Sequence, residues 1–151
     1  MKFIKRALIP LFAVIAVIMA SCVDGACYED TESLLSVSFY RGEEATSVQK
    51  LSVIGSGMEE FLYSEKSSVA KATIPLDPGA GSVTLYFSIN DTTDMVMFNY
   101  TSEAYMFSKE CGYSWTYYIE SVSSTNNIID KIAITDANIT ISDEENIRIY
   151  Y

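Results

Sequence analysis

Apolar and polar residues alternate along most of the chain beyond residue 33. Leu35, Val37 and Phe39 interleave with Ser36, Ser38 and Tyr40. Val83, Leu85, Phe87 and Ile89 interleave with Ser82, Thr84, Tyr86, Ser88 and Asn90, the cleanest two-residue period in the sequence. A period of two puts one set of side chains on one face of a strand. Further apolar runs cover 48–57, 95–100, 105–107, 128–134, 139–141 and 147–151. Cys111, Tyr113, Trp115, Tyr117 and Ile119 share a face that the alternation makes the inward one. Turn-forming clusters separate the runs: Asp77-Pro78-Gly79-Ala80-Gly81, Asn90 to Thr93, Ser123 to Asn127, and Asp143 to Asn146. No long stretch keeps a helical period. Short strands at this spacing predict an all-β fold, an antiparallel β-sandwich (immunoglobulin-like) or a small barrel.

The first 21 residues follow another pattern. Lys2, Lys5 and Arg6 precede the uncharged run "ALIPLFAVIAVIMA", Ala7 to Ala20. That run is too short to span a bilayer as a helix, and Pro10 interrupts it. A basic start, a short apolar core and small residues at its exit have the form of a secretory signal. The exit, Met19-Ala20-Ser21-Cys22, resembles the bacterial lipobox, with Met19 where leucine is usual. The resemblance implies cleavage before Cys22 and acylation of that cysteine. An ordinary signal cut after Ala20 or Ser21, or an uncleaved anchor, are the alternatives. The expected organisation is a lipoprotein signal peptide over 1–21, a lipid-anchored tether over 22–32 and a single all-β domain over 33–151. The expected address is the bacterial cell envelope, lipid-anchored at the outer membrane. More than one acyl chain gives stable anchoring where a single chain does not.

The chain has three cysteines, Cys22, Cys27 and Cys111. With Cys22 lipidated, two remain in an oxidising compartment, which argues for a Cys27–Cys111 disulfide. On the inward face of its strand, Cys111 would place that bond in the packing near Trp115. Two free thiols or an intermolecular bond are the alternatives. A metal centre lacks ligands, because the chain contains no histidine, and no CxxC pair is present. No metal and no other cofactor is expected.

Charge narrows the partners. Residues 1–21 hold three of the ten basic residues and none of the twenty acidic ones, so the remainder carries a net charge near −13. Nucleic acid needs a basic footprint and is not an expected partner. Without histidine, Ser-His-Asp and Cys-His arrangements cannot form, and the commonest general base is missing. Glu43-Glu44, Glu59-Glu60 and Asp143-Glu144-Glu145 could supply paired carboxylates, but sequence neighbours do not make facing groups across a cleft. A non-enzymatic role is expected, with a small carboxylate-dependent hydrolase acting on envelope glycans as the alternative. The Asp143 run has no EF-hand spacing.

Binding chemistry rests on tyrosine, of which there are eleven. Tyr86, Tyr100, Tyr117, Tyr118, Tyr150 and Tyr151 could form an aromatic platform for a glycan or protein partner. Tyr86 and Tyr118 fall on the polar faces of their strands and are the chosen candidates; half-buried sheet tyrosines are the competing reading. A fimbrial-type subunit, with the terminal "NIRIYY" as donor strand, is a variant of this class. Asn90-Asp91-Thr92, Asn99-Tyr100-Thr101 and Asn138-Ile139-Thr140 match the eukaryotic N-glycosylation pattern, unused in a bacterial lipoprotein. Asp91-Thr92-Thr93 resembles the Bacteroidetes O-glycosylation pattern, with Thr92 as acceptor.

The segments "CVDGAC", "VSFY", "TLYFSIND", "MFSKECGYSWTYYIESVSSTNNIIDKIAI" and "NIRIYY" together resemble a Bacteroidetes family of envelope lipoproteins of unknown function, with a Cys-Gly pair in a strand. The resemblance implies an envelope lipoprotein. It carries over no activity and no catalytic residue.

Overall fold

A computed structural model describes residues 27–151. The segment read as a signal peptide, and Cys22 with it, lies outside the described residues. The described chain contains eleven strands and no helix. They are β1 (Leu34–Arg41), β2 (Glu44–Ala45), β3 (Leu51–Gly55), β4 (Tyr63–Lys66), β5 (Lys71–Pro75), β6 (Ser82–Ile89), β7 (Thr92–Ser108), β8 (Gly112–Ser124), β9 (Lys131–Ile134), β10 (Asn138–Ile139) and β11 (Ile147–Tyr150).

Two sheets form. The larger has the order β10-β8-β7-β6-β3-β4, antiparallel throughout. In the smaller, β1 is central, flanked on one side by β11 and then β9, and paired also with β5 and β2. The alternating residues supply the core between them. Leu35, Val37, Phe39, Ile147 and Ile149 come from the small sheet, and Val53, Leu85, Phe87, Ile89, Val96, Phe98 and Ile119 from the large one, all 2 % exposed or less. The expected all-β sandwich is the observed class. The pairing of β1 with β11 is parallel, Val37 opposite Ile147 and Phe39 opposite Ile149, which departs from a purely antiparallel arrangement.

Several boundaries differ from the sequence reading. The runs 95–100 and 105–107 belong to one strand, β7, because Thr101 to Ala104 stay paired to β8 although they are polar or small. β4 and β5 were not legible. β4, "YSEK", is an exposed edge with little apolar signal, and β5, "KATIP", offers only Ala72 and Ile74 to the core. The Asn90–Asp91 turn is tighter than the four-residue cluster suggests. Both residues have positive φ (49° and 72°), and Ile89 pairs directly with Thr92. Such a two-residue loop matches the twist of the strands it joins and favours Asn and Asp.

Polar groups inside the fold are bonded into it. Asp94 is fully buried, and its carboxylate accepts hydrogen bonds from the Thr125 hydroxyl (2.6 Å) and the amides of Asn127 (2.6 Å), Ile128 (2.8 Å) and Ile129 (2.9 Å). Burial alone would raise its pKa, but these four donors outweigh it and hold the carboxyl below its ordinary value. Asp94 thereby fixes the "STNNII" loop that carries the chain from the large sheet to β9. Asn146, 4 % exposed, works between the sheets. Its carbonyl accepts the Ser36 amide (3.0 Å), and its amide donates to the carbonyls of Asp136 (3.2 Å) and Asn138 (2.9 Å).

The sulfurs of Cys27 and Cys111 are bonded, with their Cα atoms 4.8 Å apart at a sequence separation of 84. The pairing is as expected; its surroundings are not. Cys27 is exposed and Cys111 half-buried, so the bond lies outside the core packing, and Trp115 is 41 % exposed.

Asp94→Asn should lower unfolding stability by about 2–3 kcal/mol, because an amide nitrogen would face backbone donors that then go unsatisfied. Urea midpoints at neutral pH read the change. The native pKa of Asp94 lies below its unfolded value, near 4, so its contribution is complete above that pH and is lost as pH falls through the native pKa. The variant should therefore show a smaller loss of stability on acidification than the wild type.

Removing the staple with Cys27→Ser and Cys111→Ser should cost about 2–5 kcal/mol by releasing a long closed loop. The sheets should survive, since the bond lies outside them. Thermal unfolding with far-ultraviolet dichroism of the folded baseline measures both.

Candidate binding surfaces along the β7–β8 arm

The two sheets differ in length. β6 pairs with β7 only as far as Asn99, while β7 runs on to Ser108 against β8 alone. The segments Tyr100–Ser108 and Gly112–Tyr118 therefore project as a two-stranded arm, with β10 touching β8 only at Tyr117 and Tyr118. Gly112, at φ 77°, closes the turn at its tip.

The base of the arm is anchored by tyrosines. Tyr100 and Tyr117 meet edge to face with ring centroids 5.7 Å apart. Their hydroxyls donate to the Asp77 (2.8 Å) and Leu76 (2.9 Å) carbonyls, and the Ser102 hydroxyl donates to the Pro78 carbonyl (2.6 Å). Burial, with the Asp77 charge nearby, raises the pKa of both phenols. These two tyrosines, read as platform candidates, are core residues instead. The arm is thus fastened at its root to the loop following β5.

Beyond that root the inward face is bare. Tyr113 and Trp115 lie on the same strand face as the buried Tyr117, as the alternation predicts, yet they are 73 % and 41 % exposed. The small sheet ends before it can cover them. Where its edge meets the arm, a groove of about 280 Å³ opens, walled by Leu34, Pro75, Leu76, Tyr113, Trp115 and Tyr117. Glu32, Ser33 and Ser114 add polar groups to it. The Ser33 hydroxyl is buried without a hydrogen-bond partner in the fold. The tether segment is held against the arm a second time here, because the Ser114 hydroxyl donates to the Thr31 carbonyl.

A second depression, about 510 Å³, lies on the other side of the arm. Thr101, Glu103, Thr116, Tyr118, Asn138 and Thr140 line it. Tyr118, 52 % exposed, is its aromatic member. Tyr86, 38 % exposed, stands apart on the outer face of the large sheet, level with Ile54 and Met95. Tyr118 is level with Thr101, which is six positions along β7 from Met95, a distance of roughly 20 Å at strand rise. The two chosen tyrosines share a sheet face and do not form one site. Thr92 is exposed beside the β6–β7 turn. The neighbouring Asp91 is engaged by Lys50 at 2.8 Å, and Glu65 bonds the same ammonium at 3.0 Å. These two acids raise the Lys50 pKa, Asp91 first.

The outer face of the small sheet carries a stacked set of which only Tyr150 was among the platform candidates of the sequence. Tyr40 packs on Tyr150 at 5.5 Å, Arg148 covers the Tyr40 ring at 4.9 Å and Lys131 the Tyr150 ring at 5.5 Å. Glu145 accepts from Tyr40 (3.0 Å) and from Arg148. Burial pushes Glu145 upward, and the bonds from Arg148, Ser38 and Tyr40 overcome that and lower its pKa. The signal was present as i, i+2 spacing in "RIYY", but the partner rings come from β1. The terminal strand itself is inserted between β1 and β9, with Ile147 and Ile149 fully buried, so it is committed to its own sheet and not free as a donor strand. No group of three or more metal-ligating side chains comes together among the described residues.

No curated protein and no solved structure matches the chain. The family comparison does find a match. It covers residues 50–151, which include "TLYFSIND", the Cys-Gly strand, the Asp94-bound loop and the terminal strand, and it leaves out "CVDGAC" and "VSFY". With most of its length matched, from β3 through the arm to β11, the chain belongs to the DUF6452 family of unknown function.

Proposed function

We propose that the chain is a Bacteroidetes envelope lipoprotein, anchored at the outer membrane through Cys22, whose β domain is a non-catalytic binding or assembly module. The observation that carries this reading is the Cys27–Cys111 bond. Disulfides persist in exported compartments. With those two cysteines joined, the third is Cys22, at the position a lipid signal requires. Cys22→Ser should release the domain from the membrane fraction, and the wild-type amino-terminal peptide should carry a diacylglycerol mass. A wild-type protein that begins at Met1, or a variant still wholly membrane-bound, contradicts the anchor.

Two further features support a binding role over chemistry. The carboxylates whose acidity the fold changes, Asp94 and Glu145, are both consumed by structural hydrogen bonds. The depression around Tyr118 offers an aromatic face beside hydroxyl, amide and carboxylate groups, a lining suited to a glycan or to a polar peptide. Tyr118→Ala should abolish partner capture there at little cost in stability, since the ring is half exposed. Thr92 is a proposed O-glycan acceptor. Its exposure beside a tight turn gives access, and the intact mass of the exported domain tests it.

A further inference from the structure

The disulfide and the arm together have a consequence for the lipid surface. Cys111 closes the tip of the arm, beside Gly112 and two positions from Tyr113. Through the disulfide its Cα lies 4.8 Å from that of Cys27. Cys27 is five residues past Cys22, a span of at most about 18 Å even fully extended. The tip of the arm is therefore the part of the domain that the covalent chain holds nearest to a lipid on Cys22. The sandwich is set back from it by the length of the arm.

The surface presented at that tip is apolar and amphipathic. Met106 is level with Tyr113, and Ala104 with Trp115, so the four form a contiguous block on one face. Met106 is 60 % exposed, Tyr113 73 % and Trp115 41 %. No sheet covers them, and no strand of the described chain is available to do so. Tryptophan and tyrosine gather at the boundary between lipid headgroups and acyl chains, because an apolar ring with a polar edge satisfies both layers. The charges around the block choose the lipid. Glu29, Asp30, Glu32 and Glu110 outnumber Lys109, the nearest cation in sequence. An anionic surface would be repelled, whereas an uncharged or zwitterionic one would not.

Resting on the anchor reading above, we infer that Ala104, Met106, Tyr113 and Trp115 form a membrane-contact face, which the Cys27–Cys111 bond docks into the headgroup region of a zwitterionic bilayer beside the lipidated Cys22. The lipoprotein then has two attachments. The acyl chains hold it in the bilayer, and the arm fixes its orientation, so the Tyr118 depression is presented at a set height and angle.

Trp115 is the single tryptophan of the chain and reports on itself. The full mature lipoprotein is reconstituted into phosphatidylcholine vesicles, with or without lipids brominated near the headgroup end of their acyl chains. The mass of the amino-terminal peptide records whether the lipid is present. The expected result is a lipid-bearing protein whose Trp115 emission is blue-shifted in vesicles and cut by about half by the brominated lipid. Reducing the disulfide, or replacing it with Cys27→Ser and Cys111→Ser, should restore most of the emission while the protein stays in the vesicle fraction. A lipid-bearing protein whose Trp115 is untouched by brominated lipid overturns the inference and leaves the anchor standing. Quenching that persists in full after the bond is opened overturns the docking role of the disulfide. A peptide without lipid overturns both readings together.

Discussion

The two sheets are of unequal length, and most of the other features follow from that mismatch. A sandwich stays closed only where both sheets present apolar faces to each other. Here the small sheet stops near Leu34 and Pro75, while β7 and β8 continue. At the limit of the overlap the side chains change from purely apolar to tyrosine. Tyr100 and Tyr117 bury their rings against the core and spend their hydroxyls on the carbonyls of the loop after β5. One step further, the same strand faces carry Trp115 and Tyr113 into the open. A single register of alternation thus runs from core to surface, and its chemical meaning changes where the opposing sheet ends.

Two buried polar side chains keep the remaining connections in order. Asp94 gathers three successive amides and a hydroxyl, so a loop that would otherwise bury unsatisfied donors becomes part of the sheet's framework. Asn146 bonds β1 on one side and the segment entering β10 on the other, which ties the small sheet to the edge of the large one. Both are more informative than the exposed acids that dominate the composition. Those acids set solubility and charge; these two set geometry.

The fold class was legible because period-two alternation is a direct image of a half-buried strand, and Val83 to Ile89 displays it without interruption. The disulfide was legible by counting cysteines. What could not be read was burial. Alternation reports which face a residue shares, not whether another sheet lies opposite, so Tyr113 and Trp115 were assigned to the right face and the wrong environment. The same gap let Tyr100 and Tyr117 pass as surface candidates. Short edge strands such as β4 bury almost nothing and leave no apolar trace. The cation-covered tyrosine pair of the small sheet was hidden for another reason. It joins β1 to β11, near opposite ends of the described residues, and no local pattern records such a meeting.

That meeting also constrains how the protein comes into being. β11 lies between β1 and β9, and its parallel pairing with β1 joins strands near opposite ends of the described chain. Until β11 arrives, β9 has no hydrogen-bonded link to β1. A polypeptide emerging amino terminus first would display β1 and the hairpins of the large sheet early, with the inner faces of Leu35, Val37 and Phe39 uncovered. Closure then waits on β11, and contacts of such wide sequence separation form slowly. The interval before β11 docks is the period in which this chain is most exposed to wrong pairing, and loss of Ile147–Tyr150 would leave β1 and β9 unjoined.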